Sequence, residues 1–341
     1  MKTVLVGATG AVGTEMLRIL EEREWPGELV PVASPRSAGR KLRWRDGDVT
    51  VVALAEDVFL DADIALFDVP DEISLRWAPI AVSKGAVVVD NSAAWRMDPQ
   101  VPLVVPEVNA GAIVDRPKGI VGSPNCTTLA MVVPLAALHR EAGLNRLILA
   151  SYQAASGSGK PGVDELWEQI EKAVGEPDLV RDGLGRKVVE AGATFAHPLA
   201  MNVIPHCGSI RADGYTSEEL KLCDETRKIM SLPNLRVTAT CVRVPVMVGH
   251  GVAVHAEFDE PLTPDAARAI LKGAPGVELQ DDLAQGVYPT PLGAAGEDPC
   301  YVGRIRQDRF DPKALEMFCV ADNLRKGAAL NTVQTAELLL P

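Results

Sequence analysis

The stretch Thr3-Val4-Leu5-Val6-Gly7-Ala8-Thr9-Gly10-Ala11-Val12-Gly13 decides how the first half of this chain folds. Its leading residues form a short apolar run of the kind buried inside a parallel sheet. Glycine then recurs at every third position, and Met16, Leu17, Ile19 and Leu20 follow at helical spacing. Strand, glycine loop and helix in that order make a nucleotide site. Glycine permits the tight turn and lets the main chain approach a pyrophosphate, which then sits on the helix N-terminus. The spacing is Gly-x-x-Gly-x-x-Gly, not the commoner Gly-x-Gly-x-x-Gly, and an ordinary turn is the alternative reading.

A second strand is expected at residues 29–33. An NAD enzyme places Asp or Glu near the end of that strand to bind ribose hydroxyls. Here the segment is Ser34-Pro35-Arg36-Ser37, with no acid. Arg36 offers a planar cation suited to a phosphate, which favours NADP. A solvated loop arginine is the alternative. Strands expected at 64–67, 86–90 and 119–121, with a helix at 73–83, complete the pattern of a doubly wound sheet. Asp90-Asn91-Ser92 and Ser123 to Cys126 both follow strands, which is where ligands of such sheets bind.

Ser123-Pro124-Asn125-Cys126-Thr127-Thr128 puts one cysteine where a helix, interrupted by Pro134, is expected to begin. Unpaired N–H groups and the helix dipole there favour thiolate over thiol. The plain alternative is a small core residue. Beyond this point the pattern changes. Residues 144–154, 235–245 and 251–258 read as long, partly alternating strands of a mixed or antiparallel sheet. Helices are expected at 162–174, 217–230 and 264–271, a poorly periodic excursion or lid at 176–196, and a helix at 324–340 that returns to the nucleotide domain.

The chain has 341 residues, 47% hydrophobic and 23% charged, with a formal net charge of -12. That suits about two soluble domains and argues against a nucleic-acid footprint or an anionic membrane surface. Six scattered cysteines form no Cys-x-x-Cys pair, so a reducing cytoplasm is expected and a metal knuckle is not. The glycine loop comes too early for a signal peptide, and no run approaches the roughly 20 apolar residues needed to span a bilayer.

A cysteine nucleophile needs a base, an orienting partner and a grip on its substrate. His250, between Gly249 and Gly251, shares strand parity with Val252, Val254 and Phe258. His255 has the opposite parity and reads as a solvated surface residue. Gln153 ends a strand before the small-residue loop Ala154-Ala155-Ser156-Gly157-Ser158-Gly159. Arg243 is suited to fork a carboxylate. Glu218 and Lys221 share a helix face, either as ligands or as an exposed ion pair. Arg96 is either an anion binder or a solvated loop residue.

Taken together, these stretches resemble the aspartate-semialdehyde dehydrogenase family. They are GATGAVG at 7–13, ASPRSAG at 33–39, DNSAAWRMD at 90–98, VPEVN at 105–109, SPNCTT at 123–128, SYQAASGSG at 151–159, NVIPH at 202–206, EELK at 218–221, RVP at 243–245, GHG at 249–251 and ADNLRKGAALNTVQ at 321–334. They span the chain in family order. The resemblance implies an α/β protein: a Rossmann-type NADP-binding domain at 1–125 and 322–341, and an α+β substrate and dimerisation domain with a mixed sheet at 126–321. It implies a Cys126 nucleophile, His250 as general acid/base, Gln153 orienting the acyl group and Asn125 helping to hold the oxyanion. Arg243 would bind the substrate carboxylate, Glu218 its amino group, and Arg96 and Lys221 the phosphate. Gly7, Thr9, Gly10, Ala11, Val12, Gly13, Ser34, Arg36, Ser37, Ser156, Gly157 and Asn323 would line the NADP site. A homodimer or dimer of dimers is implied, serving amino-acid biosynthesis.

Departures from the family pattern are small: Ser123 stands where many members have Asn, Trp95 where Phe is common, and Cys207 where an aliphatic residue is usual. N-acetyl-γ-glutamyl-phosphate reductase shares the architecture, but its capped amine would leave Glu218 without a cation. A catalytically silent NADP-binding homologue would be expected to lack Cys126 or His250, and both are present.

Overall fold

The computed structural model describes residues 1–176 and 185–340, so part of the expected excursion at 176–196 lies outside the described residues. The chain divides into two compact units. One comprises Met1–Val133, Asp224–Pro233 and Leu324–Pro341; the other comprises Pro134–Cys223 and Asn234–Asn323. The expected division at 125/126 and 321/322 shifts accordingly: the first unit extends to Val133 and takes Asp224–Pro233, and Asp322 and Asn323 lie with the second.

In the first unit the strands are β1 (Lys2–Val6), β2 (Glu28–Ala33), the hairpin β3 (Lys41–Trp44) and β4 (Gly47–Thr50), β5 (Val52–Ala53), β6 (Ile64–Phe67), β7 (Val87–Asp90) and β8 (Ile120–Gly122). Six of them form one parallel sheet in the order β5-β2-β1-β6-β7-β8. The order reverses at β1, which places a ligand crevice beyond its carboxyl end. Alternation along β1 sends Leu5 to one face, with Met16, Ile19 and Leu20, and Val4 and Val6 to the other, with Phe59, Ala78 and Ala81. Both faces are covered, which is why these strands read as unbroken apolar runs. The C-terminal segment does return here: Leu330 and Val333 pack in the cluster around Leu5. It is not one regular helix, since a π-helical turn at Arg325–Leu330 precedes the α-helix Asn331–Glu337.

The second unit is built on β9 (Leu144–Gln153), β10 (Arg236–Arg243), β11 (His250–Phe258), β12 (Val277–Leu279), β13 (Cys300–Gln307) and β14 (Ala314–Ala321). They form a mixed sheet in the order β10-β9-β11-β14-β13-β12. On β11, His250, Val252, Val254, Ala256 and Phe258 are buried, while Ala253, His255 and Glu257 of the opposite parity are half-buried. The helix Gly159–Ala173 belongs to a core cluster with Phe195, Leu199 and Ile204. On the other parity of β9, Ile148 and Tyr152 are exposed, and Tyr152 meets Phe318 of β14.

Two further sequence expectations need correction. Pro134 does not interrupt its helix, which runs unbroken over Cys126–Ala142. His255 is not simply solvated: Nδ1 lies 2.7 Å from Glu316 and Nε2 3.5 Å from Glu257. Burial alone would lower its pKa, but the two carboxylates outweigh that and raise it.

Candidate active site

In the first unit a cleft of about 450 Å³ opens at the carboxyl end of β1, lined by Gly7, Thr9, Gly10, Ser34, Pro35 and Asp68 among others. The glycines are required sterically. Gly7 has φ +96°, and a Cβ there would meet the Asp68 carbonyl oxygen at 2.0 Å; one at Gly13 would meet the Gly7 carbonyl oxygen at 2.2 Å. Ala11, Val12 and Gly13 form the first turn of the helix Ala11–Glu22, which carries no acidic residue there. An anion therefore meets helix N–H groups with no carboxylate in the helix's own first turn, while the Asp68 carboxyl lies beside Gly10 in the same cleft. Ser37 Oγ lies 3.5 Å from Thr9 Oγ1, and Arg36 is exposed, next to the lining Pro35. Asp68 carried no signal in the sequence reading. Burial pushes its carboxyl above the usual carboxylate range, against the pull of a hydrogen bond from Asn91.

Cys126 is half-buried and opens its helix. Asn125 is the residue that caps it: Oδ1 accepts from Thr127 N at 2.9 Å and Thr128 N at 3.4 Å. Asn is among the favoured caps because its short side chain reaches the second and third helical N–H groups. The backbone N–H of Asn125 donates to Glu225 Oε2 at 2.6 Å. The other oxygen of Glu225 accepts from Arg96 Nη1 at 3.1 Å. Arg96 is buried, not solvated; its Nη2 donates to the Asn91 carbonyl at 2.8 Å, and its Nε has no hydrogen-bond partner. Sequence reading missed Glu225. Its only signal was its position one turn beyond Lys221 on a helix already singled out.

In the second unit Ala154 organises the site. Its carbonyl accepts from Arg243 Nη1 at 2.6 Å, and its N–H donates to His250 Nδ1 at 3.0 Å. Gln153, just before it, pairs in register with Arg243 and is buried, with Nε2 3.2 Å from Ser151 Oγ. Because Nδ1 of His250 is an acceptor, the neutral ring carries its proton on Nε2. Nε2 is buried and has no hydrogen-bond partner. Burial, reinforced by the Arg243 charge, lowers the pKa of His250 to about 3, although Glu218 pulls the other way. Gly157 packs against both side chains: a Cβ there would lie 2.7 Å from Arg243 Nη1 and 3.2 Å from His250 Nε2. The Asn323 amide holds Ser156 Oγ at 2.9 Å through Nδ2 and Gly249 N at 2.8 Å through Oδ1. Lys221 Nζ lies 3.1 Å from Glu218 Oε2, and Glu218 is only 8% exposed, so this is not the exposed pair of the alternative reading. Gln153, Arg243, His250 and Gly157 thus come together within this unit. Cys126, Asn125 and Arg96 come together within the other.

Comparison with known proteins identifies the family. Residues 2–116 match the semialdehyde dehydrogenase NAD binding domain, and residues 135–326 the semialdehyde dehydrogenase dimerisation domain. The aspartate-semialdehyde dehydrogenase of Streptomyces akiyoshiensis is 52% identical, covering 99% of this chain and 98% of its own. That of Aquifex aeolicus is 46% identical over the same shares. Among solved structures, aspartate semialdehyde dehydrogenase II of Vibrio cholerae complexed with ASA is 40% identical with a TM-score of 0.92, covering 99% of this chain and 97% of its own. Among the described residues no helix is long and apolar enough to cross a membrane. The glycine-loop cleft, the helix-opening cysteine, the buried histidine and these full-length matches have one reading: the chain belongs to the aspartate-semialdehyde dehydrogenase family, and it is an oxidoreductase.

Proposed function

We propose that this enzyme interconverts L-aspartate 4-semialdehyde and L-4-aspartyl phosphate through an acyl-thioester on Cys126, using NADP. The observation that carries the reading is a half-buried cysteine at the first position of a long helix whose N-terminus is capped by its neighbour Asn125. The absence of an acid after β2, with Arg36 exposed beside the cleft, supports NADP over NAD. The substrate assignment draws on the Vibrio cholerae relative, whose solved structure is complexed with ASA.

In the phosphorylating direction the Cys126 thiolate attacks the aldehyde carbon, the C=O π bond opens to an oxyanion, and departure of hydride from that carbon breaks its C–H bond and re-forms the C=O as the thioester. His250 acts at Nε2, entering as a donor because its resting tautomer holds the proton there. An oxyanion role for Asn125 rests on Nδ2, since Oδ1 caps the helix. When bound at Gly7, Thr9, Gly10, Ala11, Val12, Gly13, Ser34, Arg36 and Ser37, with Ser156, Gly157 and Asn323, NADP supplies the hydride acceptor. The acyl group left on Cys126 is oriented by Gln153. A phosphate oxygen then attacks the thioester carbon, the C–S bond breaks, and the thiolate is released. Arg243 binds the substrate carboxylate and Glu218 its ammonium, while Arg96 and Lys221 hold the phosphate dianion. Biosynthesis uses the reverse direction, toward lysine and diaminopimelate, threonine, methionine and isoleucine, in a cytoplasmic homodimer or dimer of dimers.

The test is NADP+ reduction with aspartate semialdehyde and phosphate, beside controls that omit phosphate, substitute NAD+ or supply N-acetylglutamate semialdehyde. Phosphate-dependent turnover with aspartate semialdehyde is expected, and Cys126→Ser should abolish it while sparing cofactor binding. Unchanged turnover in that variant, or turnover only with the acetylated aldehyde, would overturn the reading.

A further inference from the structure

We propose that Glu225 is the positioning residue of the phosphate half of the reaction, fixing Arg96 relative to the peptide that carries Cys126. The inference rests on the reading of Arg96 as a phosphate ligand. Glu225 lies on the helix Ser217–Ile229, in the segment that folds with the nucleotide-binding unit, and is 1% exposed. Its carboxylate spans two groups: Oε2 accepts the Asn125 N–H at 2.6 Å and Oε1 accepts Arg96 Nη1 at 3.1 Å. The first donor is thus one residue from the nucleophile, and the second is on the anion-binding side chain.

The arrangement is costly as a mere stabiliser. A buried ion pair loses hydration on both partners, and its attraction recovers that loss only with good geometry and satisfied neighbours. Here the neighbours are not all satisfied, because Nε of Arg96 is buried with no partner. With Nη1 held by Glu225 and Nη2 donating to the Asn91 carbonyl, the guanidinium is fixed at two corners. The Nε edge is left unsatisfied. An oxyanion accepting from that edge would complete the donor set of a planar fork.

The same helix fixes the loop that bears Arg96. Lys228, one turn beyond Glu225, donates from Nζ to the carbonyls of Arg96, Asp98 and Val101 at 2.7, 2.8 and 2.7 Å. Glu225 therefore sets the side chain of Arg96 while Lys228 sets its backbone. The consequence is kinetic. Phosphate has to meet a thioester on Cys126, so its binding arginine has to be held at a constant distance from residue 126. The carboxylate bridge between Arg96 and Asn125 provides that constancy.

Glu225→Asp keeps the charge but shortens the arm by one methylene, so that it cannot reach both partners. The expected result is a phosphate KM raised about tenfold, with KM for aspartate semialdehyde and for the cofactor within about twofold of the parent enzyme. A purely structural role would instead lower kcat, every KM-derived efficiency and the melting temperature together, and that pattern would overturn the assignment, as would a phosphate KM within about twofold of the parent value. Glu225→Gln is the second variant: one acceptor then faces two donors, so a similar rise is expected, whereas a fall in phosphate KM would identify Glu225 as a competitor for Arg96. Arg96→Ala is measured in parallel. If it leaves phosphate KM unchanged, the phosphate reading of Arg96 fails and takes the proposal with it. If it raises phosphate KM while neither Glu225 variant does, the Glu225 assignment alone fails.

Discussion

At the scale of single residues, His250 shows how a backbone contact fixes chemistry. The Ala154 N–H occupies Nδ1, so the proton resides on Nε2, and burial with the nearby Arg243 charge keeps the ring neutral down to about pH 3. The sign follows. The folded pKa lies below the ordinary value of 6.5, so the stability linked to this residue is fully present above pH 6.5 and is lost as pH falls toward 3. The catalytic counterpart is that protonation of His250 produces no break in kcat/KM between about pH 6 and 8. A break near neutrality that vanishes in His250→Gln would contradict this. Gly157 is the second residue-scale case. Because a Cβ there would press on Arg243 Nη1 and His250 Nε2, Gly157→Ala should lower kcat/KM by about 100-fold and, since Gly157 also lines the proposed NADP site, weaken cofactor affinity. Steady-state kinetics beside a cofactor titration checks it.

At the scale of elements, the helix Cys126–Ala142 depends on Asn125 for its first turn. Loss of a side-chain cap costs about 1 kcal/mol, so Asn125→Ala should lower the unfolding free energy by that amount. Asn125→Ser retains a capping oxygen and should recover the stability but not the rate, since it lacks the amide proposed to face the oxyanion. Equal rates for the Ser variant and the parent would remove Asn125 from the chemistry. This helix also shows where sequence reading succeeds and where it stops. A cysteine after Ser-Pro-Asn and before an apolar run announced a helix start, and the observed helix begins at that residue. Pro134 misled, because a proline penalty is local and here the buried apolar residues on either side, such as Met131, Leu135 and Leu138, keep the helix continuous. Alternation placed His250 on the buried face correctly, since period two is a property of any strand. Glu225 and Asp68 were not legible: a carboxylate on a polar helix or after a strand looks solvated until the fold shows what it meets.

At the scale of the molecule, the C-terminal segment is tied to the first unit by a buried ionic contact that no local pattern announces. Lys326 is 1% exposed; its Nζ meets Glu107 Oε1 and Oε2 at 2.7 and 2.8 Å and Gln334 Oε1 at 2.8 Å. The motifs VPEVN and ADNLRKGAALNTVQ, more than 200 positions apart in the chain, are joined by this cluster. Asn331 adds a second tie, donating to the Val104 carbonyl and to Ser123 Oγ, each at 3.0 Å. Ser123 departs from the asparagine common in the family yet serves as an acceptor here. The energetic expectation for the ion pair is asymmetric. Lys326→Met leaves Glu107 buried without its cation and should cost about 3–5 kcal/mol, because an uncompensated charge remains in a low-dielectric site. Lys326→Met combined with Glu107→Gln removes the charge on both sides and should cost markedly less than the single change. Chemical denaturation of the parent, both single variants and the double variant gives the coupling energy directly. If the two single effects simply add, the pair is not what fastens the C-terminal segment, and the apolar contacts of Leu330 and Val333 with the sheet hold it instead.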